Sequence, residues 1–370
     1  MKKLLGICYL SIIMLLIFTS CNKSKEVVYR IGALIPMTGS GALYGQYAIE
    51  GIQIAVEEAN KAGGIKGKKI EIASEDNRSN AKDGVSAFQS LIAKDVQITL
   101  TEFSPVVVAC GPIADQTKTV LLNCGAQSPK IRECGPFVFS AIIDANVEAE
   151  SAAKFLFDTL HISAVCTYVI NTETGINSQK VFINAFQNLG GRILMSEVHD
   201  QGALDYRSAL VKIQKTKAKA VYLLSLVKES AQILKQAAEL GLITQWMSYA
   251  SFQGPDIINI AGKAAEGVLY TYPWFDSTNN LGRIFRNTYL EKYNREPDIY
   301  ASTFYDGAKI AIESFKDGKI TGEAIQQYLK SIHFNGVTGT TTFKSGNWVE
   351  KPVEIRTIRN GEFVKYQSSR

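Results

Sequence analysis

The clearest fold signal in the chain is Ile31–Ile72, which reads IGALIPMTGSGALYGQYAIEGIQIAVEEANKAGGIKGKKIEI. It begins inside the apolar run 28–35, which predicts a buried strand. Apolar side chains then recur at helical spacing over residues 47–62, and Gly63-Gly64 ends that helix before a second strand at 69–73. A strand, a helix and a second strand in direct succession predict a parallel βαβ unit.

The glycine-rich turn of this unit, TGSGALYGQ at residues 38–46, raises the question of a phosphate loop. A P-loop ends in Gly-Lys-Ser/Thr, whereas Gly45 is followed here by Gln46. The dinucleotide pattern G-x-G-x-x-G fails at Tyr44. We therefore expect a turn whose glycines let a small ligand approach the backbone, with the Tyr44 ring over it. The alternative is a plain turn before a helix, with Tyr44 packed on the surface.

The composition indicates an ordinary globular protein. The chain has 370 residues, of which 46% are hydrophobic and 20% charged, and this length suggests two domains. The formal net charge is +5, and no basic run is interleaved with aromatic residues. We therefore expect no nucleic-acid partner.

The N-terminus predicts export. Two lysines precede the apolar run Leu4–Phe18, which is shorter than the ~20 residues of a membrane span and indicates a signal peptide over residues 1–20. The run leads into Thr19-Ser20-Cys21, which resembles a bacterial lipobox, although Phe18 stands where Leu is usual. The resemblance implies that Cys21 is diacylated and that residues 21–26 tether the protein to the cell membrane, in the periplasm or on the outer face. The alternatives are an uncleaved anchor or ordinary cleavage.

The remaining cysteines would lie in a compartment that permits disulfides. One disulfide among Cys110, Cys124 and Cys134 is compatible with that setting, but their spacing does not fix a pairing. No CxxC spacing occurs, Cys166 included, and the three histidines are isolated. We expect no metal and no cofactor.

Strand-like and helix-like segments keep alternating after the first unit, which predicts two doubly wound parallel α/β domains. The predicted strands are 28–35, 69–73, 97–101, 120–123, 137–141, 164–170, 192–198, 220–224 and 246–249, with short strands near 340–343 and 353–358. The predicted helices are 47–62, 81–94, one from Val106, 146–160, 176–189, 205–216, 228–240, 279–294, 301–316 and 321–331.

Three stretches, Ile31–Ile72, Ala220–Leu242 and Tyr272–Phe315, resemble the leucine/isoleucine/valine-binding protein family. These are type I periplasmic solute-binding proteins of ABC importers, and the resemblance covers essentially the whole mature chain. It implies two lobes joined by a three-strand hinge, with a small solute bound in the cleft. The lobes would be residues 27–143 with 273–338, and residues 144–272 with 339–370. We expect a monomer that delivers its solute to an ABC permease.

The resemblance places the serine that holds the ligand carboxylate at Ser104. The residues alone favour the same role, because Ser104 follows a strand and Pro105 suits the first position of a helix. The positive end of that helix would attract a carboxylate. The alternative is that Ser104 only caps its own helix.

Further ligand positions follow from the resemblance. Gly125 would offer a carbonyl to the ligand ammonium, with Ala126 beside it. Gln127 stands where the family has a carboxylate-binding Thr, so its longer amide would intrude on the cleft or form different hydrogen bonds. Tyr44 and Tyr300 match aromatic positions of the pocket, or serve packing only.

The second lobe departs from the family pattern. Thr174 and Leu226 stand at aromatic positions, and the acid that neutralises the ligand ammonium falls near Ala250. No Asp or Glu occurs between Glu239 and Asp256. Because a desolvated ammonium needs a partner, either an acid comes from elsewhere in the chain or the ligand lacks an ammonium. We take this as evidence against a simple leucine binder.

No motif indicates an enzyme. The patterns G-x-S-x-G and H-E-x-x-H are absent, and the S-x-x-K match at Ser225–Lys228 lacks its companion motifs. The competing interpretations are a ligand-sensing module of the same fold, which would serve a receptor, and a binder of amides.

Overall fold

The computed structural model describes residues 28–273, 280–343 and 346–367. The predicted signal peptide, Cys21 and the tether lie outside these residues. The first sheet has five parallel strands in the order β2-β1-β3-β4-β5, so the strand order reverses beside β1. Its elements are β1 (Tyr29–Ile35), α1 (Ala42–Lys61), β2 (Ile70–Asp76), α2 (Ala81–Ala93), β3 (Ile98–Thr101), α3 (Ser104–Thr117), β4 (Val120–Asn123) and β5 (Val138–Ser140).

The second sheet has seven strands in the order β14-β13-β10-β9-β8-β6-β7. Strands β6 to β10 are parallel and repeat the strand order of the first sheet. The sequence predicted a parallel sheet. The structure differs at one edge, where β13 and β14 are antiparallel. Its elements are α4 (Ala145–Lys154), β6 (Ala164–Ile170), α5 (Glu173–Asn188), β7 (Arg192–His199), α6 (Arg207–Thr216), β8 (Ala220–Leu224), α7 (Val227–Glu239), β9 (Gln245–Ser248), β10 (Leu269–Pro273), β13 (Val353–Arg359) and β14 (Glu362–Lys365).

The helices that follow β10 return to the first sheet. They are α8 (Asn280–Tyr293), α9 (Ile299–Lys316) and α10 (Gly322–Ser331), and the hairpin of β11 (Phe334–Gly336) and β12 (Gly339–Thr341) follows them. Helix α9 lies along α1 so closely that a Cβ on Gly51 would overlap the Ala301 carbonyl. The hairpin is held by Asp306 of α9, which accepts from the backbone of Val337 at 2.9 Å and of Thr338 at 2.8 Å.

The chain passes between the sheets three times. The first passage follows β5, the second lies between β10 and α8, and the third precedes β13. Trp348 still pairs with Ser140 of β5 shortly before β13 begins.

Several predicted boundaries were wrong for tertiary reasons. Helix α1 begins at Ala42 rather than 47, since Gly45 lets the helix start pack directly on the Pro36 carbonyl. Helix α3 begins at Ser104, with Phe103 rather than Ser104 at the N-cap. The predicted helix 146–160 changes to a π-helical turn at Phe155–Thr159. Strands β10, β11 and β14 were not predicted.

The four cysteines within the described residues are free thiols. Three of them contact other polar atoms: Cys124 contacts the Leu122 carbonyl, Cys134 the Lys130 carbonyl, and Cys166 the Thr216 hydroxyl. The disulfide considered for Cys110, Cys124 and Cys134 is therefore not formed in this structure. No helix in the described part of the chain is long and apolar enough to cross a membrane.

Candidate ligand-binding site

A cavity of about 400 Å³ lies where the carboxyl ends of the two sheets face each other. Its lining follows β1, β3 and β4 of the first sheet and β6, β7, β8 and β9 of the second, with one contribution from α9. In open α/β sheets this edge, where the strand order reverses, is the usual place of a ligand. Both sheets present that edge to the same cavity.

The structure brings eight of the nine sequence-predicted ligand positions to this cavity: Tyr44, Ser104, Gly125, Ala126, Gln127, Thr174, Leu226 and Tyr300. Ala250 is buried outside it, and its backbone N–H donates to Glu148 at 3.0 Å. Its neighbours Tyr249 and Ser251 line the cavity instead.

The start of α3 forms part of the first wall. Ser104 Oγ accepts from the Ser128 N–H at 3.2 Å, and no side-chain capping bond exists at this helix start. Phe103 adopts φ +76°, a region unusual for a residue with a side chain, at the junction of strand and helix. Ser104 is thus the first residue of the helix, where backbone N–H groups lack intrahelical partners. Such a helix end can receive a carboxylate.

The turn after β4 uses two of its backbone N–H groups within the protein. Asn123 Oδ1 accepts from the N–H of Gly125 at 3.2 Å and of Ala126 at 2.7 Å. A Cβ on Gly125 would lie 2.7 Å from the Glu102 Cβ and 3.0 Å from the Tyr300 ring. Glycine at this position therefore leaves room for both side chains beside the Gly125 carbonyl.

Gln127 uses its amide inside the protein. Its Nε2 donates to the Glu148 carboxyl and to the Ile143 carbonyl at 3.3 Å. Glu148 also accepts from Thr271 Oγ1 at 2.7 Å, and burial raises the pKa of its carboxyl to about 7. The Gln127 side-chain nitrogen is therefore occupied by the protein, although the residue lines the cavity.

Two tyrosine rings form a continuous aromatic surface. The Tyr44 and Tyr300 ring centroids are 4.9 Å apart. Contacts reach from this pair to the second sheet: Ser251 Oγ lies 3.4 Å from the Tyr300 hydroxyl, and the Val227 backbone hydrogen-bonds the Tyr44 hydroxyl. Burial raises the pKa of both phenols, so they stay neutral.

Sequence reasoning missed an acid in the cavity, Glu102, which directly follows β3. Its side chain is 1% exposed, and within the described residues its Oε1 has no hydrogen-bond partner. Burial, with Asp298 as a second cause, raises the pKa of this carboxyl well above its usual range. The signal was present in TEFS, where an acid stands at the end of a buried strand beside Ser104. The family resemblance points instead to the loop around Ala250, which contains no acid.

A second missed acid, Glu173, lies at the cavity edge and is neutralised there. Its Oε1 is 3.8 Å from Lys130 Nζ, and its Oε2 accepts from Ser128 Oγ at 2.7 Å. Both charged side chains are more than one third exposed. This pair bridges the two sides of the cleft.

The S-x-x-K match does not form a serine–lysine pair in the structure. Ser225 Oγ donates to Glu229 at 2.9 Å, while the exposed Lys228 lies 4.0 Å from Asp256, so the S-x-x-K residues do not pair. Among the residues that the structure describes, no group of His, Cys, Asp and Glu could hold a metal.

The backbone N–H groups before and at the start of the glycine-rich turn bind a side chain of the protein and do not form a phosphate-binding loop. Asp76 accepts from the N–H groups of Met37 at 2.9 Å and Thr38 at 3.3 Å. Within TGSGALYGQ, Tyr44 alone lines the cavity.

Comparison with known proteins agrees with this architecture. A family model described as periplasmic binding protein matches residues 28–362, and the chain belongs to this family. A relative from Brucella suis, a Leu/Ile/Val-binding protein homolog, is 27% identical over 244 residues, which are 65% of this chain and 66% of the relative. The match thus spans slightly less than two thirds of that protein.

Solved structures show the same fold. The branched-chain amino acid transporter substrate-binding protein LivJ from Streptococcus pneumoniae, solved with isoleucine, matches with TM-score 0.86 at 24% identity, covering 91% of this chain and 98% of LivJ. A solute-binding protein of an ABC transporter from Rhodopseudomonas palustris, solved with 3,4-dihydroxybenzoic acid, matches with TM-score 0.83 at 21% identity, covering 91% and 95%. The chain therefore has the fold of type I periplasmic binding proteins, in which both an amino acid and an aromatic acid are found as ligands.

Proposed function

We propose that this protein is an extracytoplasmic solute-binding protein of an ABC importer. It captures a small solute that carries a carboxylate, an amino acid or a related organic acid, between its two sheets. The observation that carries the proposal is the cavity at the facing carboxyl ends, where eight residues predicted from the sequence meet. The solutes named for the two solved structures, isoleucine and 3,4-dihydroxybenzoic acid, share a carboxylate.

The carboxylate would lie at Ser104 and the first turn of α3. That helix end offers a hydroxyl and a positive dipole end within a largely apolar cavity, where a hydrogen bond to a charged group is strong. The apolar part of the solute would contact Val108, Ile170, Leu224 and Leu226, which also line the cavity.

Capture would close two lobes around the solute by bending at the three passages between the sheets. We propose two lobes that follow the predicted division, residues 27–143 with 273–338 and residues 144–272 with 339–370, except at the boundary between 338 and 339. The pairing of β12 with β11 and of Trp348 with Ser140 supports moving the third boundary to a point just before β13. A monomer held to the membrane through Cys21 would then hand the solute to a permease.

A thermal-shift assay of the mature protein tests the proposal. The compounds are leucine, isoleucine, phenylalanine, benzoate and 4-hydroxybenzoate, each compared with its carboxamide. A solute at 100 times its Kd stabilises the fold by about 2.7 kcal/mol, which should raise Tm by about 5–10 °C. We expect at least one acid to do so while its amide does not.

Ser104→Ala should lower the affinity for that acid by about tenfold, because it removes one hydrogen bond to a charged group. Ser151→Ala is the matched control, since Ser151 Oγ bonds the Val147 carbonyl on α4, outside the cavity. Equal shifts by acids and amides would rule out a carboxylate-binding cavity, and no shift by any compound would rule out this solute class.

A further inference from the structure

The cavity contains a carboxyl group, that of Glu102, with one oxygen that has no hydrogen-bond partner in the described part of the chain. Glu102 is almost fully buried, its Oε1 has no hydrogen-bond partner there, and its Oε2 lies 2.8 Å from where a Cβ on Gly125 would be. Its carboxyl group therefore lies against Gly125 at the wall of the cavity. A buried polar group is normally satisfied, so this carboxyl group indicates a missing partner.

The surroundings show what kind of donor is missing. The titratable groups that face Glu102 are Tyr44 from α1, Cys124 after β4, and Asp298 and Tyr300 at the start of α9. None of them is a cation. The cavity's lysine, Lys130, is largely exposed and lies 3.8 Å from Glu173. Within the described residues, therefore, no positive side chain faces Glu102, and a solute could supply one.

We propose that Glu102 receives an ammonium group of the solute. An ammonium has three donors and no acceptor, which suits a buried carboxylate without a partner of its own. The inference rests on the proposed function and narrows it to amino acids and other small zwitterions, whose carboxylate lies at Ser104 on the same turn between β3 and α3. The acid missing near Ala250 is thus replaced by one from the opposite sheet.

The proposal fixes the direction of a pH effect. Without solute, the buried Glu102 carboxyl holds a proton up to a higher pH than usual, and an arriving ammonium requires the carboxylate. Binding therefore releases this proton, and affinity rises up to tenfold per pH unit until Glu102 is ionised in the empty protein. If Glu102 instead donated its proton to an acid lacking an ammonium, affinity would fall as pH rises.

The test is calorimetry of the mature protein with leucine, isoleucine and phenylalanine, each paired with the 2-oxo acid that lacks the ammonium, and with benzoate. Titrations run from pH 5.5 to 8.5, in two buffers of different ionisation heat so that released protons are counted. We expect an amino acid to bind at least about 100-fold more tightly than its 2-oxo acid, because a buried charge pair is lost in the latter. Up to one proton should be released.

Two variants locate the effect. Glu102→Gln should lose about 100-fold in amino-acid affinity together with the pH dependence. Glu57→Gln is the matched control, because Glu57 lies on α1 outside the cavity in an exposed pair with Lys292, and it should leave both the affinity and its pH dependence unchanged. Should Glu102→Gln fail to fold, the proton count and the pH dependence of the unmodified protein still decide.

Binding of the 2-oxo acids or benzoate in preference to amino acids would overturn the ammonium proposal and leave the solute-binding function standing. Amino-acid binding without proton release and with a flat pH profile would overturn it too. If no acid of either kind binds, the carboxylate-binding function fails, and the ammonium proposal fails with it.

Discussion

The side-chain amide of Gln127 donates to the carboxyl of Glu148, which connects the turn after β4 in the first sheet to α4 in the second. Glu148 also accepts from the Ala250 N–H and from Thr271. Two positions that the family resemblance assigned to the ligand, 127 and 250, therefore meet at one buried acid. In this chain they join the two halves beside the cavity.

The Glu148 carboxyl should make stability depend on pH. Burial raises its pKa to about 7, so the folded protein keeps a proton that the unfolded chain has lost. Stability contributed by this group is therefore full below the unfolded pKa of about 4.3 and falls as pH rises to about 7, by at most about 1.4 kcal/mol per pH unit. Glu148→Gln should reduce the slope of the urea-unfolding free energy against pH between pH 5 and 7. The reduction should correspond to at most one proton. An unchanged slope would show that Glu148 does not titrate there.

Two acids on α1 should differ widely in their effect on stability. Glu50 is buried, pairs with Arg295 at 2.6 Å and accepts from the Tyr289 hydroxyl. Glu50→Ala leaves a largely buried guanidinium and a buried phenol without their partner, which should cost about 3–5 kcal/mol. Glu57→Ala removes an exposed pair with Lys292 and should cost no more than about 1 kcal/mol. Urea unfolding compares them, and equal costs would contradict the assigned burial.

Gly125→Ala should disturb the cavity through contact alone. The added methyl group would lie 2.7 Å from the Glu102 Cβ and 3.0 Å from the Tyr300 ring, so these side chains must move. We expect a loss of about 1–3 kcal/mol in stability and a weaker affinity for the solute. In the double variant with Glu102→Gly, which removes both the Cβ and the carboxyl contact, only the Tyr300 contact remains, and the cost should be less than the sum of the two single costs. Additive costs would place Glu102 away from Gly125.

Tyr300→Phe separates the hydroxyl from the ring. The ring keeps its contact with Tyr44, while the bond toward Ser251 across the cleft is lost. We expect affinity for the solute to fall by about threefold to tenfold, with the unfolding midpoint of the empty protein nearly unchanged. Tyr293→Phe removes a hydroxyl that bonds Gln53 outside the cavity and should leave affinity unchanged. A larger effect from Tyr293→Phe would mean that the cleft contact is unimportant.

The fold was largely predictable because its signals are local. Strands β4, β6 and β8 were predicted at their observed bounds, since each is a short apolar run between turns. The start of α1 was not, because it depends on the contact of Gly45 with Pro36, and neither residue signals that contact. Strand β10 was missed, although it is fully buried: its sequence LYTYP carries a threonine and a proline.

In the candidate site, too, some features could be predicted from the sequence and others could not. Parallel strands deliver their carboxyl ends to one edge, so positions such as Ser104 and Thr174 could be placed from strand order and family resemblance. The role of a side chain could not, because it depends on which partner is already taken. Gln127 is occupied by Glu148, and Glu102 is left without a partner, and neither fact follows from the sequence.

The glycine at position 51 affects how the specificity for the solute can change. Because α1 and α9 touch backbone to backbone there, the rings they carry, Tyr44 and Tyr300, are assembled before any solute arrives. The entropic cost of ordering that face falls on folding rather than on binding. Positions such as Leu226 and Thr174, on the opposite side, carry no such constraint. Substitutions that change the preferred solute should therefore be tolerated better at those positions than at the two tyrosines.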